Sequence, residues 1–455
     1  MVADIISFSV SALIAILVRA IFNGGWRFDL YPQVIPVMII CLVFYSLVGL
    51  YPALGLSAVE ELHKLSTTTS LVVLSLAAMT FWVRNATDYS RLTLSLTWVF
   101  SLFLLPLGRD LIRTFGIHLG IWGEPVAIIG YGKQGQWAVD FFLRNRHLGL
   151  NPLVIYDFHK NDVPENNEIH IEKADDLSDG ERLNYIPEIE TAIIIVSDVP
   201  INYINNLANN RQGGFQRLIL IPNLEQISSF GVISFDFGGV LGLEVRHNLQ
   251  NKSQQTLKRV MDIALTLTSG LLLSPFMLII MSLIKLSSKG NVIYKHKRVG
   301  KEGCEFDAWK FRTMVADADI KLKEYLEKNP ELRSEWENQH KLKNDPRVIW
   351  LGRILRRYSI DELPQLINVL KGEMSLVGPR PIVPDEIRHY GERFDPYTWV
   401  KPGITGLWQI SGRNDTSYKE RVSLDEYYVR NWSIWLDFYI LGRTIWMVLQ
   451  GTGAY

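Results

Sequence analysis

Long apolar runs dominate the first quarter of the chain, and short polar stretches separate them. The four runs are Ile5–Phe22, Val34–Leu50, Leu65–Val83 and Leu92–Leu107. Each approaches the ~20 residues that a helix needs to cross the apolar part of a bilayer. No small-residue cleavage site follows the first run, which favours a retained helix over a signal peptide. The pattern therefore predicts a bundle of four transmembrane helices within residues 1–120.

Residues 124–250 follow a different pattern, in which short β-like runs alternate with polar, helix-like segments. The runs read PVAIIGYG, PLVIYD, TAIIIVSD and RLILIPN. Such alternation is typical of a parallel sheet that carries helices on its faces. Residues 121–250 are therefore predicted to form a Rossmann-like α/β domain.

The first of these runs leads into the glycine turn GYGKQG, with glycines at Gly130, Gly132 and Gly135. Glycines at this spacing let the backbone approach a pyrophosphate at the N-terminus of the following helix. Asp157 ends the second run, where an acidic residue commonly binds a ribose hydroxyl. These four residues form a candidate accessory nucleotide site. They also raise the hypothesis of a membrane-anchored, dinucleotide-dependent oxidoreductase of nucleotide sugars, although residues 124–250 contain no cysteine.

A fifth apolar stretch begins near Leu257 and contains the dipeptide Ser274–Pro275. Its length would allow another crossing, but a proline in mid-run removes a backbone hydrogen bond and bends a helix. Lysines and arginines flank both ends of the stretch, which favours the same, cytosolic side for both ends. The pattern predicts a re-entrant helix that enters one leaflet, breaks at Ser274 and Pro275, and returns. A kinked transmembrane helix is the alternative.

Composition agrees with separate membrane-embedded and water-exposed parts. The chain has 455 residues, of which 48% are hydrophobic and 21% are charged. Its formal net charge of +0 gives no indication of nucleic-acid binding, and no nucleic-acid partner is expected. The only two cysteines, Cys41 and Cys304, argue against a disulfide framework, and no Cys/His cluster has the spacing of a zinc site.

The stretch RRYSIDELPQLINVLKG carries two adjacent acids, Asp361 and Glu362. Ser359 and Glu362 have the spacing of a capping box, and Gly372 could end the helix that this box opens. In that interpretation, the acids only stabilise the N-terminus of a helix. Alternatively, the helix dipole keeps Asp361 ionised and nucleophilic, so that it attacks a phosphoryl group and forms an acyl phosphate.

Basic residues are concentrated near this acidic pair. Arg356 lies just upstream, and Arg380 lies between the two prolines of GPRP. Lys310 and Arg312 come from the segment WKFRTM. Many cations around a pair of acids favour phosphate chemistry, in which a metal ion would neutralise the phosphates during the displacement.

Several ordered motifs between residues 257 and 455 together resemble a known family. They are SIDELPQLINVLKGEMSLVGPRP, KFRTM, NDPRV and KPGITGLWQISGRN. These motifs are similar to those of the polyprenyl-phosphate hexose-1-phosphate transferases, bacterial sugar transferases of the monotopic phosphoglycosyl transferase superfamily. The four N-terminal spans and the α/β domain match the layout of the large members. The stretch RVSLDEYYVRNWSIWLDFYIL and the terminal GAY look most like undecaprenyl-phosphate galactose phosphotransferases.

This resemblance implies the transfer of a hexose 1-phosphate from a UDP-sugar to undecaprenyl phosphate, with release of UMP. Galactose is favoured, and glucose is the alternative. Asp361 is then the nucleophile that forms a phosphosugar-aspartyl intermediate, Glu362 orients it or handles a proton, and Mg²⁺ lies near Asp361. Contacts with phosphates or other substrate groups are expected from Lys310, Arg312, Arg356, Arg380, Gln409, Arg413 and Asp425.

The resemblance further implies a mainly α-helical, monotopic catalytic domain over residues 251–455, after a transmembrane domain (1–120) and an α/β domain (121–250). The catalytic domain would lie on the cytoplasmic face of the bacterial inner membrane, where the product starts O-antigen, capsule or exopolysaccharide assembly. A homodimer is compatible with a large member. A non-enzymatic scaffold for polysaccharide export remains an alternative, but it leaves the acidic and basic cluster without a use.

Overall fold

A computed structural model describes two compact units of the chain, Met1–Glu225 and Gln226–Tyr455. The description covers all residues except 24–30, 83–90, 158–169, 174–188, 201–202, 205–214, 216, 223–231, 237–240, 246–248, 250, 288–289, 316–321, 323–324, 326, 328–346, 413–416 and 451–455. The division into three domains, with borders at residues 120 and 250, stays a prediction.

Four helices form the N-terminal part of the first unit, where the apolar runs predict them. They are α1 (Val2–Asn23), α2 (Tyr31–Leu47), α3 (Ala58–Trp82) and α4 (Arg91–His118). Helix α1 packs along α4, and α3 contacts both α2 and α4. Helices α1 and α4 are long and apolar enough to cross a membrane, whereas the apolar part of α2, Val34–Leu47, is shorter. Membrane crossing by all four helices stays a prediction.

Buried charges connect α1, α3 and α4. Arg109 of α4 donates to Asp4 of α1 through Nε (2.6 Å to Oδ1) and Nη2 (2.7 Å to Oδ2). Its Nη1 donates to Glu61 of α3 at 2.7 Å, and Arg113 pairs with the same glutamate. Two acids and two arginines therefore neutralise one another away from water, which is the condition under which a protein tolerates buried charge.

We expect Arg109→Met to destabilise the protein, because it leaves the buried Asp4 without its main positive partner. Breaking a buried pair in this way costs roughly 3–5 kcal/mol. Thermal unfolding in detergent measures the effect as a lower unfolding temperature. Lys64→Met is the control, since Lys64 pairs with Glu60 at 3.0 Å on a partly exposed surface. Such pairs contribute about 0–1 kcal/mol, and equal losses in both variants would contradict the prediction.

The α/β part of the first unit contains a five-stranded parallel sheet. Its strands are β1 (Glu124–Ile129), β2 (Leu150–Asp157), β3 (His170–Lys173), β4 (Thr191–Ile195) and β5 (Arg217–Ile221). Their order across the sheet, β3-β2-β1-β4-β5, is that of a Rossmann fold. Strand β4 is buried throughout, as expected for a central parallel strand that is covered on both faces. The predicted α/β region is therefore confirmed.

The second unit begins with a two-stranded hairpin and one long helix. The hairpin pairs β6 (Val232–Asp236) with β7 (Leu241–Val245), and the helix is α6 (Lys252–Ser287). Helix α6 is assigned continuously through Ser274 and Pro275, and the predicted break of the helix at this dipeptide stays a prediction. Proline cannot donate to the carbonyl of Leu271, but the Ser274 hydroxyl donates to that carbonyl at 2.8 Å instead. This bond replaces the one that Pro275 removes.

The middle of α6 is apolar and exposed. Between Thr266 and Ile280 the helix buries none of its residues, and Leu271 and Leu272 are each 79% exposed. Its length and composition are sufficient for a membrane crossing. A continuous apolar surface of this kind is typical of contact with lipid. The re-entrant path of α6 stays a prediction.

Short strands and helices follow α6. The strands are β8 (Ile293–Val299), β9 (Glu305–Phe311), β10 (Ser375–Val377) and β11 (Gly403–Thr405), and the helices are α7 (Trp350–Arg357), α8 (Gln365–Lys371), α9 (Phe394–Thr398), α10 (Leu407–Ile410), α11 (Tyr418–Asn431) and α12 (Ile434–Gln450). Strands β8 and β9 form an antiparallel hairpin, and β10 and β11 form a parallel pair. Helices therefore predominate among the described residues of this unit, in agreement with the prediction.

Buried polar contacts attach α6 to the rest of the second unit. Asp262 is 2% exposed and accepts hydrogen bonds from the Ser375 hydroxyl at 2.7 Å and the Leu376 N–H at 3.2 Å. Lys258 donates to Asp437 of α12 at 2.7 Å, and both side chains are buried. Lys258 is thus an internal ion-pair partner, although its sequence position suggests a charge that merely flanks a membrane segment.

Candidate active site

Asp361 lies in a 3₁₀ turn, Ile360–Glu362, between α7 and α8. Ser359, directly before it, has a φ of +54°, which is uncommon for a residue with a side chain. The Ser359 side chain makes no capping hydrogen bond, so the predicted capping box is wrong. Helix α8 begins only at Gln365, and it ends at Gly372, which has a φ of +87°, as predicted. A tight turn therefore replaces the first turn of the predicted helix.

Asp361 is buried, with 8% of its surface exposed. Burial raises its pKa to about 6, and the neighbouring Glu362 adds to the rise, while Lys310 and Arg356 oppose it. From the sequence, a helix dipole is expected to keep the pKa of Asp361 low. That expectation is wrong, because Asp361 lies in a turn before the helix and the loss of water around its carboxylate has the larger effect. A pKa near 6 leaves the group mostly ionised at neutral pH and makes it more basic than an ordinary aspartate. These are suitable properties for a nucleophile.

Lys310 and Glu362 form the closest ion pair beside Asp361. Lys310 Nζ lies 2.6 Å from Glu362 Oε1, and both side chains are about one quarter exposed, at 25% and 27%. Asn368 of α8 fixes the strand that carries Lys310, because its Oδ1 accepts from the Trp309 N–H at 3.0 Å and its Nδ2 donates to the Asp307 carbonyl at 2.7 Å. Helix α8 and strand β9 therefore hold this pair in place.

Arg356 approaches Asp361 from α7. Its Nε donates to the Thr313 hydroxyl at 2.9 Å, and its charge lowers the pKa of Asp361. Helix α7 packs tightly on Thr313 at Gly352, where any side chain would overlap the Thr313 carbonyl oxygen. The structure thus brings Glu362, Lys310 and Arg356 together around Asp361, as the sequence predicts.

Arg380 and Asp425 form a neighbouring part of the site. Asp425 is 2% exposed and accepts hydrogen bonds from the Tyr390 hydroxyl at 2.7 Å and from the backbone N–H of Arg380. Burial raises the pKa of Asp425 to about 6. The Arg380 guanidinium lies over the Trp408 ring, 5.2 Å from its centroid. Asp425 therefore positions the backbone of the GPRP segment, which makes it a positioning residue in this geometry.

Arg298 also belongs to this part of the molecule, although it was not predicted as a site residue. Burial lowers the pKa of its guanidinium, and the charge of Arg380 lowers it further, while the charge of Glu362 opposes the change. Arg380 and Glu362 are therefore both close enough to interact electrostatically with Arg298. The antiparallel pairing of β8 with β9 places Arg298 and Lys310 on one face of the hairpin. The signal in the sequence is strand alternation: the Arg298 side chain is 13% exposed, and that of Lys297 is 76% exposed.

Two other predicted contact residues, Arg312 and Gln409, have neighbours elsewhere among the residues that the structure describes. The Arg312 guanidinium lies over Gly290, where an added Cβ would overlap it. Gln409 of α10 donates from Nε2 to the carbonyl of Ile404, in the preceding strand β11, at 3.1 Å. Arg413 lies outside the described residues. Substrate contacts from these residues stay predictions.

The glycine turn of the first unit joins β1 to the fifth helix of the chain, α5 (Lys133–Arg144), as GYGKQG predicts. Gly130 has a φ of +102°, a value that favours glycine. A carboxylate of the same chain, that of Asp198, accepts from the Gly132 N–H at 2.8 Å and the Gly135 N–H at 3.3 Å. These amides are the ones that a pyrophosphate needs. Nucleotide binding at this turn, with Asp157 at the end of β2, therefore requires displacement of Asp198.

We expect no binding of NADH to the wild-type turn, because the negative Asp198 carboxylate occupies its amides. Asp198→Ala frees both amides and removes the charge, so this variant should gain NADH affinity. Fluorescence titration measures the difference. Asp140→Ala is the control, since it removes an exposed carboxylate from the adjoining helix without freeing either amide. Tight NADH binding by the wild type would contradict the prediction.

The donor set suits a magnesium ion only in combination with a phosphate substrate. In the part of the chain that the structure describes, no group of three or more His, Cys, Asp or Glu side chains could hold a metal ion. Mg²⁺ commonly takes one or two carboxylates and completes its coordination with water and substrate phosphates. Because Lys310 holds Glu362, Asp361 is the carboxylate that remains for such an ion.

Comparison with known proteins agrees with this chemistry. Residues 253–451 match the family model of bacterial sugar transferases, and residues 46–202 match that of a CoA-binding domain. A UDP-galactose-lipid carrier transferase of Erwinia amylovora is 36% identical over 85% of this chain and 80% of its own length. An undecaprenyl-phosphate galactose phosphotransferase of Salmonella typhimurium is 35% identical over 87% and 82%.

A further relative is named for glucose, whereas the two above are named for galactose. It is a UDP-glucose:undecaprenyl-phosphate glucose-1-phosphate transferase of Klebsiella pneumoniae, 31% identical over 76% of this chain and 73% of its own length. The resemblance of the motifs around Asp361 to sugar transferases is thus confirmed along most of the chain. The chain belongs to the bacterial sugar transferase family.

Proposed function

We propose that this chain is a phosphoglycosyl transferase that moves a hexose 1-phosphate from a UDP-sugar to undecaprenyl phosphate. The observation that carries the proposal is the buried Asp361 carboxylate, with Glu362, Lys310 and Arg356 around it. Two of the relatives above are named for galactose and one for glucose, so galactose 1-phosphate is the favoured group and glucose 1-phosphate the alternative.

In the first step, a carboxylate oxygen of Asp361 attacks the phosphorus atom that bears the sugar. The bond from that phosphorus to the UMP oxygen breaks, and UMP leaves with the bonding electrons. The sugar phosphate remains on Asp361 as an acyl phosphate. Lys310 and Arg356 stabilise the negative charge that develops on the phosphoryl oxygens. When bound at Asp361, Mg²⁺ supplies additional screening of the diphosphate.

In the second step, a phosphate oxygen of undecaprenyl phosphate attacks the same phosphorus and displaces the Asp361 carboxylate. One phosphoanhydride is broken and another is formed, so the overall transfer needs no external energy source. Because the two substrates react in turn, a single carboxylate serves both the water-soluble donor and the lipid acceptor. Glu362, held by Lys310, orients Asp361 or handles a proton.

We place this reaction at the cytoplasmic face of the bacterial inner membrane. The exposed apolar section of α6 belongs to the same unit as Asp361 and supports membrane attachment of that unit. Helices α1 and α4 have the length and composition of further membrane spans. The lipid-linked product would start O-antigen, capsule or exopolysaccharide assembly, and a homodimer is compatible with this arrangement.

Release of UMP tests the proposal directly. Purified full-length protein in lipid is incubated with undecaprenyl phosphate and either UDP-galactose or UDP-glucose. We expect UMP and a lipid-linked sugar phosphate, with UDP-galactose as the better donor. Without the lipid, labelled sugar should remain on the protein. A preference for UDP-glucose would select the alternative donor, and no UMP from any UDP-sugar would refute the proposed function.

A further inference from the structure

Arg421 of α11 is a buried arginine with one hydrogen-bonding edge unused. It is 6% exposed, and its Nε and Nη2 atoms have no hydrogen-bond partner among the residues that the structure describes. Its Nη1 lies 3.5 Å from Glu386 Oε1, which is a weak contact. Buried polar atoms in folded proteins almost always have partners, so an exception requires an explanation.

Aromatic rings hold this guanidinium in place. Its Cζ lies 4.9 Å from the ring centroid of Trp408 and 4.9 Å from that of Tyr418. The Tyr418 hydroxyl is also buried and lacks a partner within the described parts of the chain. Nε and Nη2 of an arginine form a rigid fork that matches two oxygens of one phosphate or carboxylate group. The unused fork therefore has the chemistry of an anion-binding group.

Shared neighbours connect Arg421 to the active site. The Trp408 ring contacts Arg380 as well as Arg421, and the Arg380 Cζ lies 5.2 Å from the ring centroid. Arg298 lies within electrostatic range of both Arg380 and Glu362. A series of cations thus leads from the acidic pair to the Arg421 fork. A substrate with more than one phosphate could contact several of these cations at once.

The nearby acids do not block an anion at this position. Glu386 lies towards Nη1 of Arg421 and also 3.9 Å from Arg298, so its charge is shared between two cations. Asp425 accepts from the Tyr390 hydroxyl and from the Arg380 backbone. Neither carboxylate makes a hydrogen bond to Nε or Nη2 of Arg421.

We propose that the Nε–Nη2 edge of Arg421, together with the Tyr418 hydroxyl, binds a phosphate group of a substrate next to the one that Asp361 attacks. The inference rests on the proposed function, which supplies two sources of such a phosphate. One is the UMP half of the donor, and the other is the phosphate of the lipid acceptor. Arg380, which is only partly buried, contacts the same Trp408 ring as Arg421.

Kinetics of full-length Arg421→Lys test the subsite, because lysine keeps the charge and loses the fork. We expect KM for one substrate to rise roughly 10- to 100-fold, the value of a charged bidentate contact, with a smaller change in kcat. A higher KM for UDP-galactose would show that the phosphate bound by Arg421 belongs to the donor. A higher KM for undecaprenyl phosphate would show that it belongs to the acceptor. UMP calorimetry on the same variant gives a readout that is independent of turnover.

Tyr418→Phe separates binding from folding. The hydroxyl has no partner in the described structure, so its removal should leave the unfolding temperature unchanged or higher while the same KM rises. Arg430→Gln is the matched control, since Arg430 lies on the same helix and its Nε donates to Glu426 at 2.8 Å. Neither KM should change in that control.

Two results would overturn the inference. One is a folded Arg421→Lys with wild-type KM for both substrates and wild-type UMP affinity. The other is a Tyr418→Phe that loses stability without any change in KM, which would assign the hydroxyl to folding. Failure of the proposed function looks different, because the wild-type protein would then release no UMP from any UDP-sugar.

Discussion

Asp361→Asn is expected to abolish transfer and to stabilise the protein at the same time. An amide cannot form the acyl phosphate, and removal of an enzyme nucleophile typically costs roughly 10⁴-fold or more in turnover. The stability effect follows from burial, which raises the pKa of Asp361 to about 6 in the folded protein, against about 4 when unfolded. The folded state therefore binds its proton more tightly than the unfolded state does.

The sign of the pH dependence follows from this difference. Below about pH 4 both states are protonated, and the group contributes nothing. As pH rises from about 4 through 6, the folded protein loses stability, by on the order of 2–3 kcal/mol at neutral pH. Asparagine removes this cost. The variant should therefore unfold at a higher temperature than the wild type at neutral pH, and the gap should narrow towards acid.

UMP release and thermal unfolding across this pH range check both halves of the prediction. Asp395→Asn, at an exposed aspartate of the same unit, is the control and should change neither property. UMP release that survives Asp361→Asn would exclude Asp361 as the nucleophile. Loss of the folded protein would support the alternative in which the acid mainly stabilises the local structure.

Local sequence signals predict local structure well in this chain. GYGKQG gives a strand, a turn and a helix because glycine alone relieves the crowding at Gly130 and Gly135. Gly372 ends α8 because its positive φ costs glycine little. The four apolar runs give four helices, since their length exceeds what a strand would use. In each case the residues that decide the structure are neighbours in the sequence.

The same signals fail where a distant partner intervenes. Ser359 and Glu362 have the spacing of a capping box, but Glu362 instead binds Lys310, from a strand 52 residues away in sequence. The carboxylate oxygen that would cap the helix is then held by an ammonium group. No pattern within the stretch itself contains that information.

Charges in apolar segments show the same limit. Asp437 interrupts an apolar run, and Lys258 sits at the edge of another, so each resembles a surface charge in isolation. They form a buried pair across 179 residues, and Asp437 is 0% exposed. Arg298 was predictable in part, because alternation along β8 separates it from Lys297. Its proximity to Glu362 and Arg380 was not, since that depends on tertiary packing.

Lys310→Met is expected to slow transfer and to shift the acidic limb of the pH–rate profile towards higher pH. The Lys310 ammonium lies 2.6 Å from Glu362, and its charge lowers the pKa of Asp361 against the effect of burial. Without it, Glu362 loses this cation beside Asp361, so the pKa of Asp361 rises above about 6. Loss of one charge that stabilises the transition state costs roughly 10²–10³-fold in turnover.

The two effects of Lys310→Met separate on a pH scale. Transfer requires the ionised carboxylate, so activity falls as pH falls through the pKa of Asp361, and a higher pKa moves that fall to higher pH. Raising the pH should therefore recover the part of the loss that comes from protonation, and the electrostatic part should persist. Lys295→Met is the control, because Lys295 lies in the same hairpin over Trp309, 5.2 Å from the ring centroid. An acidic limb that does not move in Lys310→Met would show that Lys310 acts on the phosphates and leaves the ionisation of Asp361 unchanged.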